Sequence, residues 1–409
     1  MQLALLKARH GKMYEWNIAN TVEMHKGLHK EEIDVVASLK ACARKKNLLE
    51  GCKIHGHVIE MGFLEKNIFI GSALVSMYAK CAALTMAQEL FDKLLVPDVV
   101  SWTALIGGYA QYGCGNEALD CFKRMQCEGL FPNAVTFCCI LKACGSIRAS
   151  HKGKEIHAEI AHVRLFTGNV ILGTALVDMY AKCGQLMDAR QVFDELLEKD
   201  VVSWTALMTG YVQHGLSKEA LKCFEQMQQR GISPNAMTFA CILQACGNIG
   251  ANEKGEEIHA EIDKQGFLLK NIVVGTSVVD MYARCGMLAK AREVLHSLPE
   301  RNVVSWTALI GGYAQHGIGN EALKCFQQMK DEGILPNAAT FSCVLKACAS
   351  TRSVKKGEEV HAEVRKLGLL KNNLVLGTAL LDMYAKCGDL DKAQALFDGL
   401  PQQSVVSWN

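Results

Sequence analysis

Along residues 99–133 the apolar positions recur with helical spacing. Trp102, Leu105, Ile106 and Tyr109 fall at i, i+3, i+4 and i+7, Ala118, Leu119, Phe122 and Met125 form a second stripe, and Gly113 lies between them. The segment reads as two amphipathic helices joined by a glycine turn. One such hairpin cannot bury both stripes, but a stack of hairpins can bury them against neighbours. Trp102, Trp204, Trp306 and Trp408 stand 102 residues apart, each inside Val-Val-Ser-Trp. Each period divides into a 35-residue repeat (99–133, 201–235, 303–337), a 36-residue repeat (134–169, 236–271, 338–373) and a 31-residue repeat (170–200, 272–302, 374–404). Extended backwards, the same frame gives a 36 at 32–67 and a 31 at 68–98. The first and third 35-residue repeats agree at 26 of 35 positions, so the framing is not imposed. All six prolines (Pro97, Pro132, Pro234, Pro299, Pro336, Pro401) fall near repeat ends, where one helix must stop before the next begins. The pattern predicts an all-α protein of about 22 helices, an α-solenoid of helix-turn-helix repeats. Residues 1–31 depart from it and read as a divergent cap or degenerate repeat, and 405–409 read as the truncated start of a further 35-residue repeat. Ala82 occupies the turn position held by Gly184, Gly286 and Gly388.

Half of the 409 residues are apolar and 21% are charged, enough to bury a core. No apolar run approaches the roughly 18 residues of a membrane span, so no membrane is expected as a partner. The chain carries 44 basic and 42 acidic side chains. Residues 1–31 hold five of the former (Lys7, Arg9, Lys12, Lys26, Lys30) and three of the latter (Glu15, Glu23, Glu31), which leaves 39 of each beyond them. The body therefore lacks an overall basic footprint, and any binding of nucleic acid must come from local placement of charge.

The 18 cysteines contain no C-x-x-C pair. Fourteen recur at the 102-residue period: Cys42, Cys144, Cys246, Cys348; Cys81, Cys183, Cys285, Cys387; Cys121, Cys223, Cys325; and Cys139, Cys241, Cys343. They read as one small apolar residue copied into equivalent core positions, in a reducing compartment and without metal. His55, His157, His259 and His361 are likewise one position copied four times. Three of them open His-Ala-Glu, the first half of a zinc deaminase signature, but the Pro-Cys-x-x-C half is absent from the sequence. With no Walker loop, G-x-S-x-G or dinucleotide fingerprint either, neither a catalytic centre nor a cofactor is expected.

The 35s carry Val-Val-Ser-Trp-Thr-Ala-Leu and a terminal Pro-Asn, the 36s Leu-Lys-Ala-Cys and Ile-His-Ala-Glu, and the 31s Asp-Met-Tyr-Ala-Lys-Cys-Gly. In these segments, and in the three alternating lengths, residues 32–409 resemble pentatricopeptide repeat proteins of the PLS class, the plant organelle RNA-editing type, here without a DYW deaminase domain. The resemblance implies a right-handed superhelix. It also implies binding of single-stranded RNA from an organelle transcript, in a mitochondrion or chloroplast, for site recognition in C-to-U editing, with a deaminase or accessory protein acting in trans. Lys7, Arg9 and Lys12, with no acidic residue among the first 14, give a transit-peptide-like balance that lacks the usual serines. The contrasting reading is a protein-binding α-solenoid scaffold without RNA function.

The resemblance also implies which residues read bases: the fifth of each repeat, early on its first helix, paired with the last, before the next repeat, one base per repeat. The 35s pair Thr103 with Asn133, Thr205 with Asn235 and Thr307 with Asn337, the combination associated with adenine. Among the 31s, Ser72 with Asp98 and Thr174 with Asp200 look like guanine readers, Thr276 with Asn302 like an adenine reader, and Thr378 with Ser404 fits no clear rule. Read in the family's parallel orientation, the pairs spell 5′-G-A-n-G-A-n-A-A-3′. Apolar second residues (Phe69, Val100, Ile171, Val202, Val273, Val304, Val375) suit a wedge that sandwiches the base. The 36s, with Val36, Cys138, Ala240 and Ser342 at the fifth position, are expected to space rather than read. Threonine early in a helix could simply be a cap, but that would not account for the exchange of Asp and Asn at the last position, which serves no evident packing need.

Overall fold

The computed structural model describes residues 30–163, 165, 168–370 and 373–399, which are helices joined by short turns, with no strand among them. Most of the cap expected at 1–31, and all of 405–409, lie outside the described residues. The first helix begins at Lys30, two residues before the first repeat of the sequence frame.

Each repeat contributes two helices, and the second of them is shorter in the 31s than in the 35s and 36s. In the 35s the pairs are Val99–Gln111 with Gly115–Cys127, Val201–Gln213 with Ser217–Gln229, and Val303–Gln315 with Gly319–Asp331. In the 31s the second helix shortens to Leu84–Phe91, Leu186–Glu195, Leu288–Ser297 and Leu390–Gly399. The 36s keep long second helices, and two of them add a single turn, Phe63–Lys66 and Phe267–Lys270, which sequence periodicity does not predict.

The chain divides into two compact bodies, Met1–Glu198 and Lys199–Asn409. In each, the first helix of one repeat packs against the first helices of its neighbours, and each second helix packs against the first helix of its own repeat and that of the next. This is the solenoid arrangement expected from two apolar stripes per repeat. Trp102, Leu105, Ile106, Ala118 and Met125 are fully buried, while Tyr109 and Leu119 sit at the margin and Cys121 takes their place in the core. The first helices approach closely: a Cβ on Gly312 would lie 2.6 Å from the Cβ of Ala283. The same close approach explains why small residues recur here.

The copied cysteines and histidines serve this packing. All 18 cysteines are free thiols. Burial pushes the thiols of Cys144 and Cys246 up to about 12, so they stay protonated at neutral pH, as packing residues do. Cys183 and Cys285 direct their sulfurs at the carbonyls of Cys144 and Cys246, 3.9 and 3.8 Å away. The four histidines each hold a tyrosine hydroxyl on the next first helix: Nδ1 lies 2.8 Å from Tyr78 for His55, 2.9 Å from Tyr180 for His157, 2.9 Å from Tyr282 for His259 and 3.0 Å from Tyr384 for His361. Burial lowers the pKa of all four and favours the neutral ring. No described helix is long and apolar enough to cross a membrane.

Ala82 adopts φ +63°, in the same left-handed region as Gly184, Gly286 and Gly388. A Cβ there is strained, and glycine relieves the strain at a smaller cost in unfolded-chain entropy. Ala82→Gly is therefore expected to stabilise the first body by about 1 kcal/mol, read as a raised urea midpoint with unchanged slope.

Candidate functional site

The last residue of a reading repeat is the N-cap of the next helix. Asp98 and Asp200 accept from the backbone N–H of Ser101 and Ser203 at 2.8 Å. Asn133, Asn235 and Asn337 accept at 2.9 Å from Thr136, Thr238 and Thr340, and Asn302 accepts at 2.9 Å from Ser305. In all six, one side-chain oxygen is committed to the cap, which satisfies a helix-end donor. What remains differs in kind: the NH₂ of asparagine can only donate, and the second oxygen of aspartate can only accept. Both residues cap, so capping does not decide between them, and their exchange changes only the outward group.

The fifth residue is not a cap. Thr103, Thr205 and Thr307 donate back to the carbonyls of Val99, Val201 and Val303 at 2.6–2.7 Å. In each 35-residue repeat the two proposed reading positions are joined through a buried threonine of the next repeat. Thr103 meets Thr136 at 2.7 Å, and Thr136 donates to Asn133 at 3.1 Å. Thr205–Thr238–Asn235 and Thr307–Thr340–Asn337 repeat this chain at 2.7 and 3.0 Å. Each hydroxyl has one proton, so the chain can point toward the carbonyl or toward the asparagine. In the 31-residue repeat 68–98 the link is direct: Ser72 donates to Asp98 at 2.9 Å. The hydroxyls of Thr174 and Thr276 are buried and have no hydrogen-bond partner among the described residues, an unfavourable state for a polar group. Thr174 and Asp200 belong to different bodies. Thr378 donates to the Leu374 carbonyl at 2.9 Å, and Ser404 lies outside the described residues.

The second residues are exposed although apolar. Val100, Ile171, Val202, Val273, Val304 and Val375 are between 52% and 76% exposed, and Phe69 is half-buried. One helical residue away, Ser101, Ser203 and Ser305 are fully buried. An exposed apolar side chain at six of the seven reading repeats contributes little to the core and is available to the flat face of a ligand. In the second body, Met237, Thr276, Val304, Thr307 and Asn337 line one groove of about 730 Å³, which brings second, fifth and last residues together. Sequence reasoning missed two sets of residues here. One is the linking threonines Thr136, Thr238 and Thr340, whose signal is the Asn-x-x-Thr spacing of a capping box. The other is Ile33, Val135 and Met237, the exposed second residues of 36-residue repeats.

Residues 97–146, 199–248 and 301–350 match the PPR repeat family, and 174–201, 276–303 and 378–404 match the PPR repeat. A chloroplastic pentatricopeptide repeat-containing protein of Arabidopsis thaliana is 39% identical over 91% of this chain and 60% of its own length. Two mitochondrial ones from the same organism are 36% identical over 93% of this chain and 37% of their own length, and 33% identical over 92% and 67%. The chain thus spans less than two thirds of the first two relatives. Among solved structures, the pentatricopeptide repeat protein PPR10 in complex with an 18-nucleotide psaJ RNA element superposes with a TM-score of 0.64 at 17% identity, over 84% of this chain and 48% of PPR10.

Proposed function

The chain belongs to the pentatricopeptide repeat family, and from that premise we propose that it binds single-stranded RNA by sequence, one base per 35- or 31-residue repeat, in a mitochondrion or chloroplast. The observation that carries this reading is the N-cap: the cap takes one side-chain oxygen of Asp98, Asn133, Asp200, Asn235, Asn302 and Asn337 and leaves a donor or an acceptor that the cap does not use. The Watson–Crick edge of guanine offers N–H donors to an aspartate oxygen, and the ring nitrogens of adenine accept from an asparagine NH₂. The hydroxyl at the fifth position supplies a second contact to the edge, and the exposed second residues hold the base from its faces.

The relatives named above are chloroplastic and mitochondrial proteins, which supports the organelle. The alternation of 35, 36 and 31 residues supports the PLS class. Within that class, the chain would choose sites for C-to-U editing, with a deaminase or accessory protein supplying catalysis in trans.

Filter binding to purine-rich single strands tests the proposal. Retention of A- and G-rich RNA over pyrimidine-only RNA of equal length is the expected result. Equal, weak retention of both would favour the alternative reading, a solenoid that binds proteins.

A further inference from the structure

The 36-residue repeats lack a reading pair, yet their groove-side surface is built like that of the repeats that have one. Three of their four second residues, Ile33, Val135 and Met237, are 49%, 61% and 65% exposed, and the fourth is the small, exposed Ala339. Seven residues on, two turns along the same helix face, stand Lys40, Lys142, Gln244 and Lys346. The three lysines are exposed and make no ion pair among the described residues. By contrast, the cations at the thirteenth position of three 31-residue repeats are neutralised on their own helix: Lys182 by Asp178 at 2.6 Å, Arg284 by Asp280 at 2.8 Å and Lys386 by Asp382 at 2.8 Å. Lys346 lines the same groove as Thr307 and Asn337. In a chain with equal numbers of acidic and basic groups beyond residue 31, unpaired cations at this level of the groove are local placement rather than general charge.

We infer that each 36-residue repeat holds one nucleotide without selecting its base, the apolar second residue lying against the base and the ninth-residue lysine donating from Nζ to the phosphodiester. Gln244 keeps a donor at that level but brings no charge. The inference rests on the RNA reading proposed above and adds a site to it: the n positions of the string are gripped, not skipped. A lysine on a phosphate displaces a counterion, so it shows in the salt dependence and not in the base preference.

The test is the binding of the full chain, between 50 and 500 mM salt, to an RNA carrying n-G-A-n-G-A-n-A-A-n, the string extended by one nucleotide at each end so that the repeats of Lys40 and Lys346 are occupied as well. A chain with Lys40→Gln, Lys142→Gln and Lys346→Gln is compared with the unsubstituted chain. The control carries Lys123→Gln, Lys218→Gln and Lys264→Gln, exposed lysines on second helices with the same change in net charge. Loss of three phosphate contacts lowers the slope of log affinity against log salt by about 2, at about 0.7 per contact for a single strand. The affinity lost across that salt range then shrinks by about 100-fold, with base preference intact and the control slope unchanged. In parallel, Met237→Ser weakens binding to every strand alike without altering the slope. If the unsubstituted chain selects bases but the groove variant keeps its slope, or shares the slope of the control, the phosphate site is overturned alone. Unchanged affinity in Met237→Ser overturns the base contact. If the unsubstituted chain selects no base, the RNA reading falls and takes this site with it.

Discussion

Trp306→Ala is expected to cost the second body about 3–5 kcal/mol, the range for emptying a fully buried tryptophan site. Trp306 is 0% exposed, and its indole N–H donates to Glu332 at 3.1 Å. Glu332 retains Arg301 at 3.0 Å, so the loss comes from the cavity and not from an abandoned carboxylate. For a body of this size the melting temperature should fall by roughly 10 °C. In a stack where each repeat contacts its neighbours, hydrogen exchange should rise first in the helices flanking residues 303–337. Val304, two residues earlier, is 56% exposed. Val304→Ala should leave stability within about 0.5 kcal/mol of the unsubstituted chain and still weaken RNA binding. A Trp306→Ala protein that melts like the parent would contradict the shared core.

Asn235→Asp should move the preference at the fifth base of the string from adenine to guanine by roughly tenfold, for a discrimination near 1.4 kcal/mol. The substitution is conservative where folding is concerned. Asn235 accepts from the Thr238 N–H at 2.9 Å and from the Thr238 hydroxyl at 3.0 Å, and an aspartate oxygen accepts both. The new charge sits at a helix N-terminus, where it is favourable. Only the outward group changes, from donor to acceptor. Competition binding with strands that differ at that base checks it. Equal loss at every base would indicate damage to the fold or to phosphate contacts, and no change would favour the protein-binding scaffold.

The period and the helix pairs were legible because each repeat writes the same two apolar stripes and the same turn residues. Ala82 shows how far this reaches: its place in the frame predicts a left-handed turn, and the backbone adopts one in spite of the Cβ. The single turns Phe63–Lys66 and Phe267–Lys270 were not legible, since four residues carry too little periodicity to register. The resemblance pointed to the fifth and last residues as the candidate site, but not to how they connect. Thr205 and Thr238 are 33 residues apart and meet only because successive first helices pack side by side. Charge pairing divides along the same line. The Asp280–Arg284 pair, four apart on one helix, is readable in sequence, whereas the pairing of Lys330 with Glu363 depends on the stacking of second helices. Which lysines remain unpaired is therefore a property of the fold.

A single-base substitution scan of an RNA spelling G-A-n-G-A-n-A-A, read by fluorescence anisotropy against the full chain, tests the claim that paired residues read bases. Affinity should fall by about 1–3 kcal/mol for each changed G or A and stay level at both n positions, a profile with the period of the repeats. A flat profile, with every substitution tolerated equally, would contradict it.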